Sequence, residues 1–170
     1  MRDELETMGN DTFEFVRTLR VSDMSDLYDT DFFAWTQRQA AALAAGKASE
    51  LDWLNLAEEI ESLGKSDVRQ LENRLAVLVR HLLKWAYQPE RRRTGRSWQR
   101  IGFEQRRRIR QLLRDSPSLR QRVLALIEEE YPSICRQTAM ETGLPLETFP
   151  ETCPWTPEQV LDETFWPGDS

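Results

Sequence analysis

Two cysteines, one histidine, seven glycines and no long apolar run are all that this chain offers of several informative features, and each scarcity removes a class of protein. Cys135 and Cys153 are too few for a disulfide scaffold and lack the paired spacing of a zinc site, so both read as free thiols. No apolar run approaches the roughly 20 residues that a membrane-spanning helix needs; Leu75 to Val79, inside an amphipathic pattern, is five residues. The opening Met1-Arg2-Asp3-Glu4-Leu5-Glu6 lacks the basic start and apolar centre of a secretory signal. A soluble cytoplasmic protein with no membrane partner is the expectation. Phosphate-cradling glycine motifs are absent, as is a Gly-x-Ser-x-Gly elbow, which argues against a P-loop, a dinucleotide fold and a hydrolase nucleophile. Few glycines and almost no period-2 alternation of β-branched residues leave little signal for strands.

What is present is a chain of 170 residues, 39% apolar, with six Trp and seven Phe, enough for the core of one domain. Residues 1–26 are acidic and short of apolar periodicity apart from Phe13, Phe15, Val16 and Leu19, so they are expected to be mobile or marginally helical. Residues 27–167 carry the helix signals. Asp29 or Thr30 is placed to cap a helix with Phe33, Ala40, Leu43 and Ala44 on its inner side, ending near Gly46. Ser49 is placed to cap the next, with Asp52 three residues on and Gly64 to close it. Trp53, Leu56, Ile60 and Leu63 fall at i, i+3, i+7 and i+10 of that helix and read as a core face. After Ser66, the residues Leu71, Leu75, Leu78, Leu82 and Trp85 repeat with the 4-3-4-3 spacing of a seam between packed helices, until Pro89.

Residues 90–96 form a polar loop, and Ser97 is placed to cap a helix with Trp98, Ile101, Ile109 and Leu112 inside. Ser116-Pro117 opens another, with Leu119, Val123, Leu126, Ile127 and Ile134 inward, a kink at Pro132 and an end at Gly143. Thr156-Pro157-Glu158-Gln159 starts a short last helix. The reading is an all-α, single-domain helical bundle of five or six helices.

Charge is laid out unevenly along these elements. Between Arg80 and Ile127 there are 13 Arg and one Lys against three acids. Residues 1–79 hold 16 acids and 8 bases, and residues 128–170 hold 10 acids and 1 base, so a net charge of -6 hides a basic centre. That centre is either covered by the chain's own acids or faces outward as a site for phosphates or an acidic partner. Arginine rather than lysine favours planar, bidentate pairing with carboxylate or phosphate.

Two sets of residues follow as candidates. The first is an anion- or partner-binding set. At 100° per residue, Arg100, Arg106, Arg107, Arg110 and Arg114 collect within about a third of the helix circumference. His81, Lys84, Trp85, Tyr87, Gln88, Arg91, Arg92, Arg93 and Trp98 bring donors and rings to the helix end and loop before it, which suits an anionic or stacked ligand. The competing reading buries the tryptophans and pairs or solvates the arginines. The second set is Glu58, Glu61 and His81, with Lys84 nearby, in acid, base or metal roles. One histidine cannot supply the two Glu-x-x-His units of a di-iron bundle, so no metal or other cofactor is expected, and a salt bridge to the basic segment is the simpler fate for the glutamates. The Phe149-Pro150-Glu151-Thr152-Cys153-Pro154-Trp155 segment reads as a rigid loop whose rings staple the last helix to the bundle.

Several blocks also resemble, in order, the DUF29 family of bacterial proteins. They are Tyr28-Asp29 to Trp35, Leu56-Ala57-Glu58-Glu59-Ile60-Glu61-Ser62-Leu63-Gly64, His81-Leu82-Leu83-Lys84-Trp85-Ala86-Tyr87-Gln88-Pro89, Ser97-Trp98, Asp115-Ser116-Pro117-Ser118-Leu119 and Phe149 to Trp155. The resemblance spans roughly residues 27–167 and implies a compact helical domain found in bacteria. It implies no activity and supplies no established functional residues. On the residues themselves, the first expectation is a non-enzymatic binding module for nucleic acid or an acidic protein surface, with homo-oligomerisation through the same arginine stripe as a further possibility. An enzyme or metal protein using Glu58, Glu61 and His81 is the alternative.

Overall fold

The computed structural model describes residues 26–92 and 96–168, so the expectations for the first 25 residues and for Arg93 lie outside the described residues. Among the described residues there are five α-helices: α1 (Phe32–Ala44), α2 (Trp53–Tyr87), α3 (Arg96–Asp115), α4 (Val123–Thr142) and α5 (Pro157–Leu161). A helical turn at residues 26–30 precedes them, and no strand occurs among the described residues. The all-α expectation is therefore met. Contacts divide the chain into two compact units, Met1–Leu63 and Gly64–Ser170.

In the first unit, Asp31 rather than Asp29 or Thr30 caps α1, its carboxylate accepting from the Ala34 amide at 3.0 Å. The buried side of α1 is Trp35, Gln39 and Ala42, whereas Phe33, Ala40, Leu43 and Ala44, expected inside, are exposed. Polar contacts decide this choice. The Trp35 indole N–H donates to Asp52 Oδ2 at 3.3 Å, and the Asp52 amide donates to Gln39 Oε1 at 2.8 Å. Trp35 also packs against Tyr28, edge-on at 4.9 Å, and Phe32, stacked at 5.6 Å. Gly46 takes the left-handed φ of 66° that ends α1. A short 3₁₀ turn at Ala48–Glu50 then leads to α2.

Helix α2 is one element of 35 residues, not two: Gly64 keeps a negative φ and the helix passes through it and Ser66. A glycine inside a helix costs only about 1 kcal/mol relative to alanine, and the surrounding Glu58, Glu59, Glu61, Leu63 and Lys65 are good helix formers. Its first part also corrects a second expectation. Trp53, Ile60 and Leu63 are exposed and Leu56 is half-buried, so this row is not a core face among the described residues.

The second unit has the expected core. Leu71, Leu75, Leu78, Leu82 and Trp85 of α2 are all buried, joined by Val79 and Leu83. The aliphatic ones among them meet Ile109, Leu112 and Leu113 of α3 and Val123, Leu126, Ile127, Tyr131 and Ile134 of α4 in one apolar cluster. Each such large apolar side chain contributes about 1.5–3 kcal/mol on burial, so the unit is held mainly by this seam. Pro89 stops α2 as read. Helix α3 begins at Arg96, which places Ser97 in its first turn rather than at the cap. The Ser116-Pro117 start gives a 3₁₀ turn, Pro117–Arg122, before α4 begins. The Ser116 hydroxyl, instead of capping, donates to Asp67 Oδ2 at 3.0 Å. Helix α4 continues through Pro132 and ends at Gly143, whose φ is 75°. Thr156 and Gln159 form a full capping box on α5, with Pro157 in its first turn.

Candidate functional site

Side chains from the end of α2 and the loop after it are largely engaged within the second unit. His81 is buried, with Nδ1 2.7 Å from the Val77 carbonyl, and burial above all pushes its pKa below the ordinary histidine value. Lys84 pairs closely with Glu141, which Arg80 also approaches at 3.4 Å. Arg92 donates from Nε to the Trp85 carbonyl at 2.9 Å and from Nη2 to the Pro167 carbonyl at 3.3 Å, with its guanidinium over the Trp85 ring. Trp98 is half-buried, and Arg91 is exposed. Of this candidate group, then, His81, Lys84, Trp85 and Arg92 are bound up in packing and pairing.

Arg106 departs from the expected outer face. It is 1% exposed, donates from Nε to the Val160 carbonyl at 2.9 Å and from Nη2 to the Phe165 carbonyl at 2.8 Å, and lies over the Trp166 ring at 5.1 Å. The reason is one of angle. Arg106 stands about 40° around α3 from Arg110, at the edge of the stripe, where residues 160–166 supply carbonyls and a ring. Burial lowers its pKa, while Asp162 and Glu163 act in the opposite sense. Gly102, one turn earlier, allows this closeness, because a Cβ there would stand 2.7 Å from Trp166 Cη2.

The rest of the stripe faces outward. Arg100, Arg107, Arg110 and Arg114 are all exposed, and Phe103, 53% exposed, lies among them at the same angular position. Sequence reading missed Phe103, although its i+4 and i+7 relation to Arg107 and Arg110 placed it there. Arg107 and Arg108 fork onto Glu104 at 2.7–3.0 Å, and Arg110 meets Glu163 at 2.5 Å. Hydrogen bonds from Arg107 and then Arg108 hold the Glu104 pKa down at about 2. Exposed pairs of this kind contribute little and re-form readily with another anion. Beside the stripe, Arg106, Arg110 and Arg120 surround a pocket of about 250 Å³ whose remaining walls are Ile109, Leu113 and Leu161. With the Arg106 guanidinium held by its carbonyl partners, Arg110 and Arg120 beside an apolar floor are the cations suited to a carboxylate or phosphate group.

In the first unit, Glu58 and Glu61 are exposed, and the neighbouring Glu59 accepts from the Tyr28 hydroxyl at 2.5 Å. Among the described residues no three His, Cys, Asp or Glu side chains gather as a group that could hold a metal ion. Burial raises the thiol pKa of both Cys135 and Cys153, which disfavours the nucleophilic thiolate. Phe149 and Trp155 pack against the apolar cluster on either side of Cys153, and Phe149 meets Tyr87 edge-on at 5.3 Å. No described helix is long and apolar enough to cross a membrane.

No curated protein and no solved structure matches the chain. The family described as Domain of unknown function DUF29 matches over residues 27–166. That span takes in every α-helix described above, from the Asp31 cap of α1 to the Trp166 ring under Arg106, and the chain belongs to the DUF29 family.

Proposed function

We propose that this chain is a cytoplasmic bacterial binding module without catalytic activity, its domain spanning residues 27–167, and that the outer face of α3 receives an anionic partner. The observation that carries the reading is the exposure of Arg100, Arg107, Arg110 and Arg114 around an exposed Phe103. Four cations projecting from one helix face make a strong local potential. The aromatic ring among them adds a stacking or apolar contact that pure solubility would not require. Nucleic acid phosphates and acidic protein surfaces share the chemistry this face accepts.

Binding of labelled mixed-sequence DNA and RNA at several salt concentrations tests the face directly. Micromolar affinity is expected at low salt, falling with log salt at a slope of about -0.9 per phosphate contacted. Arg107→Glu together with Arg110→Glu should abolish it. No binding at low salt, either to nucleic acid or to poly-glutamate as an acidic polypeptide, would overturn the reading.

A further inference from the structure

We infer that the acidic partner of α3 is a second copy of this chain, whose first unit docks through its bare apolar side onto Phe103 and the surrounding arginines. The inference rests on the reading of α3 as a binding face and names what that face binds. Its starting point is apolar surface that the described chain leaves uncovered. Trp53, Ile60 and Leu63 are 62%, 66% and 69% exposed, and Phe33, Leu43 and Leu54 of the same unit are exposed with them. The spacing of the first three matches the spacing that residues 71–85 bury completely in the second unit. Three large apolar side chains exposed along one face of a helix mark a surface made to be covered.

Charge selects the occupant. Residues 26–63 hold eight acids and two bases, Glu58 and Glu61 among the exposed acids. Two such surfaces pressed together would place like charges opposite one another, which is costly at an interface. Residues 96–115 hold seven bases and two acids, and the exposed arginines surround an exposed ring. Acidic and apolar on one side, basic and aromatic on the other, the two surfaces are complementary in both respects. Each copy carries one of each, so the contact is heterologous, and it either closes reciprocally in a pair or continues to a third chain.

The test is the molar mass of the full chain, by light scattering after gel filtration, across protein concentration and at low and high salt. Wild type should show a mass of two or more chains that falls toward one as salt rises and the chain is diluted. Two variants separate the halves of the contact: Ile60→Asp with Leu63→Asp removes the apolar side, and Phe103→Glu with Arg107→Glu removes the basic side. Each alone should run as one chain with a wild-type circular dichroism spectrum, since all four positions are exposed. Mixed, they should form a one-to-one complex, because the intact apolar side of one meets the intact α3 of the other. A wild-type mass of one chain under all conditions would overturn the inference, as would oligomers that survive Phe103→Glu with Arg107→Glu. If the chain is monomeric yet binds DNA through α3, only the inference is lost. If it is monomeric and binds no polyanion, the reading of α3 is lost as well.

Discussion

The guanidinium of Arg106 lies over the ring of Trp166, its centre 5.1 Å from the ring centroid, and ties the carboxyl-terminal residues to α3. Two hydrogen bonds from the same side chain, to the Val160 and Phe165 carbonyls, complete the tie. Trp166 in turn meets Trp85 at 5.0 Å, and Arg92 covers Trp85 at 5.4 Å. Two of the basic residues are therefore internal clamps, while Arg107 and Arg110 on the outer face of α3 stay exposed and pair with Glu104 and Glu163.

Arg106→Ala should cost about 2–4 kcal/mol, because it leaves the buried Val160 carbonyl and the part-buried Phe165 carbonyl without this donor and removes the stacked cation. For a chain of this size that corresponds to a fall of roughly 5–15 °C in Tm. Thermal unfolding checks the magnitude, and limited proteolysis should show cleavage appearing first between residues 157 and 168.

Gly102→Ala places a methyl group where Trp166 stands, at 2.7 Å. The ring must move, so about 1–3 kcal/mol of stability should be lost, as for other overpacked sites. The change should appear as a red shift and loss of intensity in tryptophan emission. Gly64→Ala is the contrasting case, since nothing lies within 4 Å of the added atom and the position is helical. It should be neutral or stabilise by up to about 1 kcal/mol.

His81 is buried with a lowered pKa, burial being the main cause. The unfolded chain therefore takes up this proton at a higher pH than the folded one. The stabilising contribution is full above the unfolded value near 6.5 and declines as pH falls through that value toward the folded one. Chemical denaturation at pH 7.5 and at pH 5.5 should show lower stability at the acid pH. His81→Gln should flatten that part of the profile, and the imidazole resonances of wild type should titrate below the free value.

Glu104 should titrate near pH 2, because Arg107 and Arg108 hydrogen-bond its charged form. Its folded pKa is depressed, so its favourable contribution is present above the ordinary carboxylate range and is lost as pH falls from about 4.5 to about 2. A carbon-detected NMR titration of the carboxylate would show this. Arg107→Ala combined with Arg108→Ala should return it toward the ordinary glutamate value.

Much of the fold was legible from local signals. The 4-3-4-3 spacing of Leu71 to Trp85 marked a buried seam, since only inward-facing positions recur with that period. Pro89, Gly143 and the Thr156–Gln159 pair marked ends and starts, because they act through the backbone within one turn. Signals of equal strength failed where a distant residue held the deciding vote. Gly64 and Ser66 look like a stop and a start, yet α2 runs on, since a weak helix breaker yields to its neighbours. The inner side of α1 was misplaced because hydropathy favoured Phe33 and Leu43, whereas Gln39 and Trp35 are drawn inward by Asp52.

The candidate site divides along the same line. That the central segment is rich in arginine, that α3 gathers five arginines within a third of its circumference, and that the chain is helical were matters of composition and period, which the sequence by itself determined. Which arginine turns inward was decided only by tertiary structure. Arg106 and Arg110 differ by about 40° around one helix, and what separates them is the pair of carbonyls of Val160 and Phe165 and the Trp166 ring, from 54 or more positions later in the chain. The uncovered side of the first unit is the counterpart. Its residues carry the spacing of a core, but spacing shows only that a surface is apolar, and burial depends on whether another surface arrives to meet it.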